Sequence, residues 1–121
     1  MKLLLTGKNG QLGFELQRSL APLGQITAVD SADCDLSRPD DIRRLIRTVS
    51  PDIIINPAAY TAVDQAESQP DIALAVNAQA PAVLGHEAKK LGIPVVHFST
   101  DYVFDGTKAM PYLEDDPTAP L

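Results

Sequence analysis

Short apolar runs alternate with amphipathic segments along most of the chain. The runs are typical of strands covered on both faces, and they occupy residues 2–6, 25–29, 53–55 and 94–98. Strands that alternate with helices at this spacing form parallel sheets with right-handed crossovers, so the sequence predicts an α/β fold. No internal repeat or low-complexity linker divides the 121 residues, and we expect a single domain, 1–121.

Two helices are predicted between the first three strands. Leu12, Leu16 and Leu20 lie on one face of the first helix, which the proline and glycine of residues 22–24 would end. The second helix would begin at an N-cap, Ser37, with an acidic side chain three residues later as a capping box. Its buried face follows the i, i+3, i+4, i+7 spacing of Ile42, Leu45, Ile46 and Val49.

The second half of the chain has a less regular pattern. Residues 61–69 are predicted to form a loop with a short helical turn, and residues 70–91 have a helical composition. Pro81 lacks a backbone N–H, so we expect a break or kink near residues 77–81. Residues 99–121, rich in Asp, Pro and Gly, are predicted to form a loop beside a site.

The order of the strands decides where a ligand would bind to such a sheet. We expect the order 3-2-1-4, an incomplete doubly wound sheet whose winding reverses between strands 1 and 4. The loops that follow Thr6 and Phe98 would then flank one crevice at the carboxyl edge of the sheet.

A glycine-rich turn follows the first strand directly. Gly7, Gly10 and Gly13 form G-x-x-G-x-x-G, in which missing side chains allow a tight turn, close backbone approach to a phosphate and tight helix packing. The second strand ends in an acidic residue, Asp30, which completes the pattern of a Rossmann-type dinucleotide site. We therefore predict that the turn holds the pyrophosphate of NADH or NADPH.

Two charged side chains favour different cofactors. Asp30 can accept hydrogen bonds from ribose hydroxyls and would repel a 2'-phosphate, which favours NADH. Lys8 lies within the glycine turn and can pair with that phosphate, which favours NADPH. The sequence leaves the choice between the two cofactors open.

Other residues near strand ends have both a functional and an ordinary interpretation. A carboxylate at Asp33 or Asp35 can meet an adenine amino group or be a solvated loop charge. Residues 56–59 are small enough to let a cofactor lie against the backbone, or form a simple turn. Thr100 offers a hydroxyl to a substrate carbonyl, although threonine is also common at strand ends. Cys34 and both histidines are interpreted as structural.

Composition narrows the range of partners. The chain has 16 acidic and 10 basic side chains, a net charge of -6 and no basic cluster, so nucleic acid and anionic membranes are not expected. No apolar stretch reaches transmembrane length and the N-terminal leucine run is too short for a signal peptide, so we predict a cytoplasmic protein. One cysteine and two distant histidines do not predict a metal site.

Four stretches together resemble the extended short-chain dehydrogenase/reductase family, and within it the enzymes that reduce dTDP-linked keto sugars. These stretches are LLLTGKNGQLGFEL, PDIIINPAAYTAVDQAE, VNAQAP and VHFSTDYVFDGTKAMPYLEDDPTAPL. The resemblance implies NAD(P)H-dependent reduction of dTDP-4-dehydro-L-rhamnose to dTDP-L-rhamnose, in which the nicotinamide delivers hydride to the C4 keto carbon. The implied partner is the dTDP-linked keto sugar, and a homodimer is compatible with the sequence.

The resemblance also implies roles for individual residues. It places near the cofactor Gly7, Gly10, Gln11, Leu12, Gly13, Asp30, Asp35, Leu36, Ala58, Ala59 and Tyr60. It implies that Thr100 is the hydroxyl of a catalytic Thr/Tyr/Lys set. Near the sugar nucleotide it places Val63, Asp64 and Tyr102.

One part of the family's machinery is not in this sequence. In the family a tyrosine protonates the oxyanion, and a lysine four residues later lowers the pKa of that tyrosine. Tyr60, Tyr102 and Tyr112 are not followed by lysine at this spacing, and the family places the pair just beyond Leu121. We therefore expect a cofactor-binding N-terminal portion, without the substrate-binding C-terminal region, that has little or no turnover by itself.

Two other interpretations compete with the reductase. A nucleotide-binding regulatory module of the same fold would keep the glycine turn without the reaction. A Tyr-x-x-x-Lys in a longer reading frame would favour the enzyme over this module. An epimerase or dehydratase of the same superfamily is disfavoured by the stretches TAVDQAE and STDYVFDGT.

Overall fold

The computed structural model describes residues 1–120 and shows a parallel sheet of four strands with helices on both faces. The strands are β1 (Lys2–Leu5), β2 (Gln25–Ala28), β3 (Ile53–Asn56) and β4 (Val95–His97). The helices are α1 (Gln11–Leu20), α2 (Pro39–Val49), α3 (Val63–Ser68), α4 (Pro70–Leu74) and α5 (Ala80–Leu91), with a 3₁₀ turn at Ala21–Leu23 and a π-helical segment at Ala75–Gln79. The predicted α/β class is confirmed, and Leu121, the last residue of the predicted domain, lies outside the described residues.

The strands are arranged in the order β2-β1-β3-β4, so the predicted order 3-2-1-4 is wrong. β3 pairs with β1 through Ile54 opposite Leu4, and with β4 through Ile54 opposite Val95. The prediction assumed that β3 continues the sheet outward from β2. That arrangement would place α1 and α2 on one face, because right-handed crossovers that move in the same direction put their helices on the same side.

The side chains of the strands explain the observed order. Leu4 and Ile54 point into a core that they share with α2 and α5. Leu3, Leu5 and Ile55 point to the opposite face, where α1 covers them. Because α1 and α2 pack on opposite faces, a right-handed crossover from β2 through α2 must run back past β1. The winding therefore reverses between β1 and β3, and not between β1 and β4.

Helix α2 begins differently from the prediction. It starts at Pro39, with Arg38 at the N-cap position and no side chain capping it. The hydroxyl and N–H of Ser37 instead donate to Oδ1 of Asp35, at 2.7 and 2.9 Å. The predicted N-cap at Ser37 is therefore wrong, because Ser37 forms a local turn with Asp35 instead of capping the helix. Proline is suited to the first position of a helix, so the helix can begin at Pro39.

The predicted break near residues 77–81 is confirmed as a π-helical segment, Ala75–Gln79, between α4 and α5. Pro81 follows directly after this segment, and its missing backbone N–H removes one donor from the continuous helical run at the point where the turn widens. Within residues 61–69, where a loop with a short helical turn was expected, the structure forms the six-residue helix α3.

Residues 99–120 contain neither helix nor strand, as predicted, but they are held together by their own contacts. The rings of Phe104 and Tyr112 stack with their centroids 4.2 Å apart. The hydroxyl of Tyr112 donates to Asp105 at 2.9 Å, and the N–H of Ala119 donates to the carbonyl of Val103 at 3.2 Å. The segment is therefore a loop whose two ends meet.

Candidate functional site

A cleft of about 830 Å³ opens at the carboxyl edge of the sheet, at the point where the winding reverses. The glycine turn and the start of α1 form one wall, the segment after β3 forms the other, and the loop after β2 closes one end. All the residues that the resemblance placed near the cofactor line this cleft: Gly7, Gly10, Gln11, Leu12, Gly13, Asp30, Asp35, Leu36, Ala58, Ala59 and Tyr60. Their role in binding stays a prediction.

Two glycines of the turn are required by close backbone contacts. Gly7 has a φ of +63°, and a Cβ there would lie 2.9 Å from the Cα of Ala58. At Gly13 a Cβ would lie 2.0 Å from the carbonyl oxygen of Gly7. Side chains at these positions would push the two walls apart or displace α1. The narrow part of the cleft is therefore built from backbone.

The N-terminus of α1 faces the cleft without a side chain to cap it. Gly10 occupies the N-cap position, and the first turn of α1 contains no acidic residue. The first N–H groups of a helix lack helical partners and form the positive end of its dipole. Because Gln11, Leu12 and Gly13 line the cleft, these donors are suited to a phosphate group.

The opposite wall is held by an asparagine that the sequence analysis did not single out. Oδ1 of Asn77 accepts the N–H of Tyr60 at 2.7 Å, and Nδ2 of Asn77 donates to the carbonyl of Tyr60 at 3.0 Å. Asn77 lies in the π-helical segment, and its neighbour Val76 lines the cleft. The available signal was an asparagine within the predicted helix break, because π-helical turns often occur at functional sites.

A set of hydrogen bonds crosses three strands beneath the cleft. Oγ1 of Thr6 donates to Oδ1 of Asn56 at 2.5 Å, and Nδ2 of Asn56 lies 3.1 Å from Nδ1 of His97. Thr6 and Asn56 are 0% and 1% exposed. From the sequence, His97 was interpreted as structural, Asn56 was predicted only as part of the turn at residues 56–59, and Thr6 was given no role of its own. The signal was a polar residue at the end of each of these strands.

The two charged residues that favoured different cofactors contact each other. Nζ of Lys8 donates to Asp33 at 2.5 Å and lies 3.6 Å from Asp30. The hydrogen bond with Asp33 raises the pKa of Lys8, and the same bond lowers the pKa of Asp33. Asn9, which the sequence analysis missed, donates to Asp30 at 2.5 Å. Each charge is therefore partly neutralised, and neither cofactor is favoured by an unpaired charge at this end of the cleft.

Asp35 and Cys34 also line the cleft at the end formed by the loop after β2. The Ser37 hydroxyl and N–H that bind Asp35 lower the pKa of its carboxyl, which keeps it charged and ready to accept a hydrogen bond. Cys34 is buried against the cleft, and this burial raises the pKa of its thiol. Cys34 is therefore a protonated, weakly reactive thiol near neutral pH.

Four of the predicted residues are not among those that line the cleft. Val63 and Asp64 begin α3 and are exposed. Thr100 is exposed as well, and its Oγ1 accepts the N–H of Tyr102 at 3.1 Å. Because β3 separates β4 from β1, Thr100 lies one strand farther from the glycine turn than the predicted order placed it. The catalytic and substrate roles of these residues stay predictions.

Among residues 1–120, no group of three or more His, Cys, Asp or Glu side chains is placed to hold a metal ion. None of the helices in that part of the chain has the length and apolar character needed to cross a membrane.

The parallel sheet, the glycine turn and the cleft at the reversal of winding define a Rossmann-type α/β domain. The comparison with protein families is more specific. Residues 1–121 match the model described as the RmlD substrate binding domain, and the chain belongs to that family.

Relatives of known name support the assignment. The dTDP-4-dehydrorhamnose reductase of Burkholderia thailandensis is 52% identical over 121 residues, which are 100% of this chain and 41% of that protein. The enzyme of the same name from Escherichia coli K12 is 51% identical over 125 aligned residues, covering 100% of this chain and 42% of the relative. The predicted resemblance is therefore confirmed, and the chain spans about two-fifths of the length of these relatives.

Solved structures show the same similarity. A dTDP-4-dehydrorhamnose reductase from Clostridium acetobutylicum matches with a TM-score of 0.89 and 40% identity, over 99% of this chain and 43% of the other. The dTDP-4-dehydrorhamnose reductase from Bacillus anthracis, solved in complex with NADP, matches with a TM-score of 0.86 and 37% identity, over 98% and 43% of the two chains.

Proposed function

We propose that this chain is the cofactor-binding N-terminal part of an NAD(P)H-dependent reductase that converts dTDP-4-dehydro-L-rhamnose to dTDP-L-rhamnose. The observation that carries the proposal is the cleft, which combines a backbone-lined glycine turn with an uncapped helix start. Relatives named dTDP-4-dehydrorhamnose reductase match the whole chain, and one of them is solved with NADP. The chain alone is proposed to turn over little, because its sequence contains no Tyr-x-x-x-Lys.

The residues of the cleft fit a dinucleotide in three places. The N–H groups at the start of α1 are donors for the pyrophosphate. Asp30 now accepts from Asn9 and from the N–H of Ala32, at 2.5 and 2.9 Å, and the same carboxylate oxygens can accept ribose hydroxyls. Ala58 and Ala59 have small side chains on the other wall of the cleft, so a ring of the cofactor can lie against the backbone there. The chemistry that the bound cofactor supplies is hydride donation.

The substrate would lie beyond the Ala58 wall, toward the segments that follow β3 and β4. There we propose that the hydroxyl of Thr100 donates to the C4 keto oxygen and orients it. Val63, Asp64 and Tyr102 are exposed at the starts of these two segments and are proposed to contact the sugar nucleotide. The proton that completes the reduction would come from the Tyr/Lys pair that this sequence does not contain.

A substitution at Gly10 tests the proposed position of the pyrophosphate. A Cβ at Gly10 would lie 3.4 Å from the carbonyl oxygen of Gly7, so the turn itself accommodates alanine. The added methyl group would occupy space that the pyrophosphate is proposed to use. Gly10→Ala should therefore stay folded and bind NADH and NADPH at least about tenfold more weakly, a loss of about 1.4 kcal/mol, in a fluorescence titration.

The matched control is Gly85→Ala in the middle of α5, where nothing lies within 4 Å of the added Cβ. This variant should bind both cofactors as the parent chain does. Unchanged binding by a folded Gly10→Ala chain would refute the proposed position of the pyrophosphate.

A regulatory module that binds the nucleotide without reducing a sugar is the second candidate. It would use the same glycine turn and cleft, and it differs from the reductase only in the missing reaction. Both candidates bind NAD(P)H, so NADPH oxidation in the presence of dTDP-4-dehydro-L-rhamnose must be measured. Steady turnover by this chain would contradict the module and also the proposed inactivity of the chain by itself.

A further inference from the structure

His97 ends the hydrogen-bonded set that crosses β1, β3 and β4 beneath the cleft. We infer that His97 is a positioning residue: its neutral ring fixes the side-chain amide of Asn56, which in turn fixes the hydroxyl of Thr6 at the base of the glycine turn. The effect on cofactor binding rests on the proposed function of the cleft. The hydrogen-bond assignment itself does not.

Nδ1 of His97 has two polar neighbours, and both belong to Asn56. The amide of Asn56 has one oxygen that accepts and one NH₂ group that donates, and its Oδ1 accepts the hydroxyl of Thr6 at 2.5 Å. Its Nδ2 lies 3.1 Å from Nδ1 of His97, and its backbone carbonyl oxygen lies 3.2 Å from the same nitrogen. A proton on Nδ1 would leave the NH₂ group of Asn56, a residue that is 1% exposed, without this acceptor, so we assign Nδ1 as the acceptor and the ring proton to Nε2.

The position of the set explains why it matters for the cleft. Thr6 lines the cleft and directly precedes Gly7. Asn56 directly precedes Pro57 and Ala58, and it is Ala58 whose Cα approaches Gly7. The bond between Thr6 and Asn56 therefore lies directly below the contact between the two walls. Because both side chains are buried, loss of either partner would leave an unsatisfied polar group there.

Protonation of His97 would disturb this arrangement. A protonated ring carries N–H groups on both nitrogens, so Nδ1 would turn from acceptor to donor and face the NH₂ group of Asn56. It could then donate only to the backbone carbonyl of Asn56, 3.2 Å away, and the amide would lose the contact that orients it. The ring with an unprotonated Nδ1 is therefore the form that orients Asn56.

The ionisable groups on neighbouring elements do not replace Asn56 as partner of the ring. β3 contains no ionisable side chain, and the segment after β4 contributes Asp101. On α5 the ionisable residues are His86, Glu87, Lys89 and Lys90. They lie in the later turns, and Glu87 pairs with Lys90 at 2.8 Å. The contacts described for His97 are with Asn56 alone.

The assignment can be tested on the unmodified chain by NMR. Long-range ¹H–¹⁵N correlation spectra at about pH 8 report which ring nitrogen carries the proton of each neutral histidine. His97 should show the Nε2–H form alone. Both histidines are exposed, but only His97 has the Asn56 contacts, so His86 is the internal reference and should show a mixture of both forms. An Nδ1–H form at His97 would overturn the inference, whether or not the chain binds a cofactor.

The effect on the cleft is tested with two variants of His97 and with NADH as the ligand. His97→Asn keeps an acceptor oxygen near the position of Nδ1, whereas His97→Leu removes the acceptor. The Kd for NADH is measured for each variant and for the parent chain at the pH of the NMR spectra.

His97→Asn should bind NADH as the parent does. His97→Leu should bind about fivefold more weakly, as expected for loss of one hydrogen bond. The control His86→Asn should behave as the parent chain. Parent-like affinity in a folded His97→Leu, or the same loss of affinity in His97→Asn as in His97→Leu, would overturn the inference. If the parent chain does not bind NADH at all, the proposed function fails and the NMR spectra alone decide on His97.

Discussion

Cys34 is a built-in reporter for the cleft, because it is the only cysteine of the chain and lines the site. Burial raises the pKa of its thiol, so little thiolate is present near neutral pH and alkylation by iodoacetamide should be slow. Bound NADH would cover this end of the cleft and slow the reaction further, by several-fold at about 100 times Kd. Mass spectrometry of timed samples measures both rates, and an alkylation rate that NADH does not change would contradict the proposed position of the cofactor.

Asn77 supports the cleft through two hydrogen bonds from one side chain. Asn77→Ala would leave the N–H and carbonyl of Tyr60 without these partners, so we expect a loss of about 1–2 kcal/mol in the free energy of unfolding, measured in urea. NADH binding should weaken as well, because Tyr60 lines the cleft. Gln79→Ala, an exposed change in the same π-helical segment, is the control and should alter neither quantity. Equal stabilities of the two variants would contradict this role of Asn77.

Among the elements, the loop after β4 depends on one carboxylate. The N–H and hydroxyl of Thr107 and the hydroxyl of Tyr112 bind Asp105 and lower the pKa of its carboxyl. Because the folded-state pKa lies below the ordinary value, this carboxylate stabilises the folded loop above the ordinary pKa. The contribution is lost as pH falls through the lowered pKa.

Residues 103–119 should therefore exchange their amide hydrogens faster below about pH 4, after correction for the intrinsic effect of pH. Asp105→Asn should show faster exchange at neutral pH already. Unchanged exchange of this segment in Asp105→Asn, measured by mass spectrometry, would show that other contacts hold the loop.

The elements themselves could be predicted from sequence, but their order in space could not. Each strand is a local apolar run, and the face of α2 follows from the spacing of Ile42 and Ile46. Strand order depends on which face of the sheet each helix covers. The sequence of a helix shows which of its sides is apolar, but not which face of the sheet that side covers. The N-cap at Ser37 was wrong for a related reason: Asp35 competes for the same serine.

The candidate site could likewise be predicted only in part. The glycine turn is a local motif, so its residues could be named from sequence. The bonds that hold the cleft join residues far apart in the chain: 17 positions separate Tyr60 from Asn77, 50 separate Thr6 from Asn56, and 41 separate Asn56 from His97. Such pairs are set by the three-dimensional packing, which one sequence does not reveal.

At the scale of the whole molecule, the position of the cleft follows from the winding of the sheet. α1 covers one face and α2 and α5 cover the other, so the loops after β1 and β3 separate at the carboxyl edge. Open α/β sheets bind their ligands at such a reversal. The pair Lys8 and Asp33 links the turn after β1 to the loop after β2 at one end of the opening. We therefore expect this opening to hold a dinucleotide.

Isothermal titration of the chain with NADH, and in parallel with NADPH, measures this binding. We expect one binding site per chain with a Kd below about 1 mM, equivalent to about -4.1 kcal/mol or stronger, and clearly weaker binding by Gly10→Ala. A folded chain that binds neither cofactor at millimolar concentration would contradict this expectation.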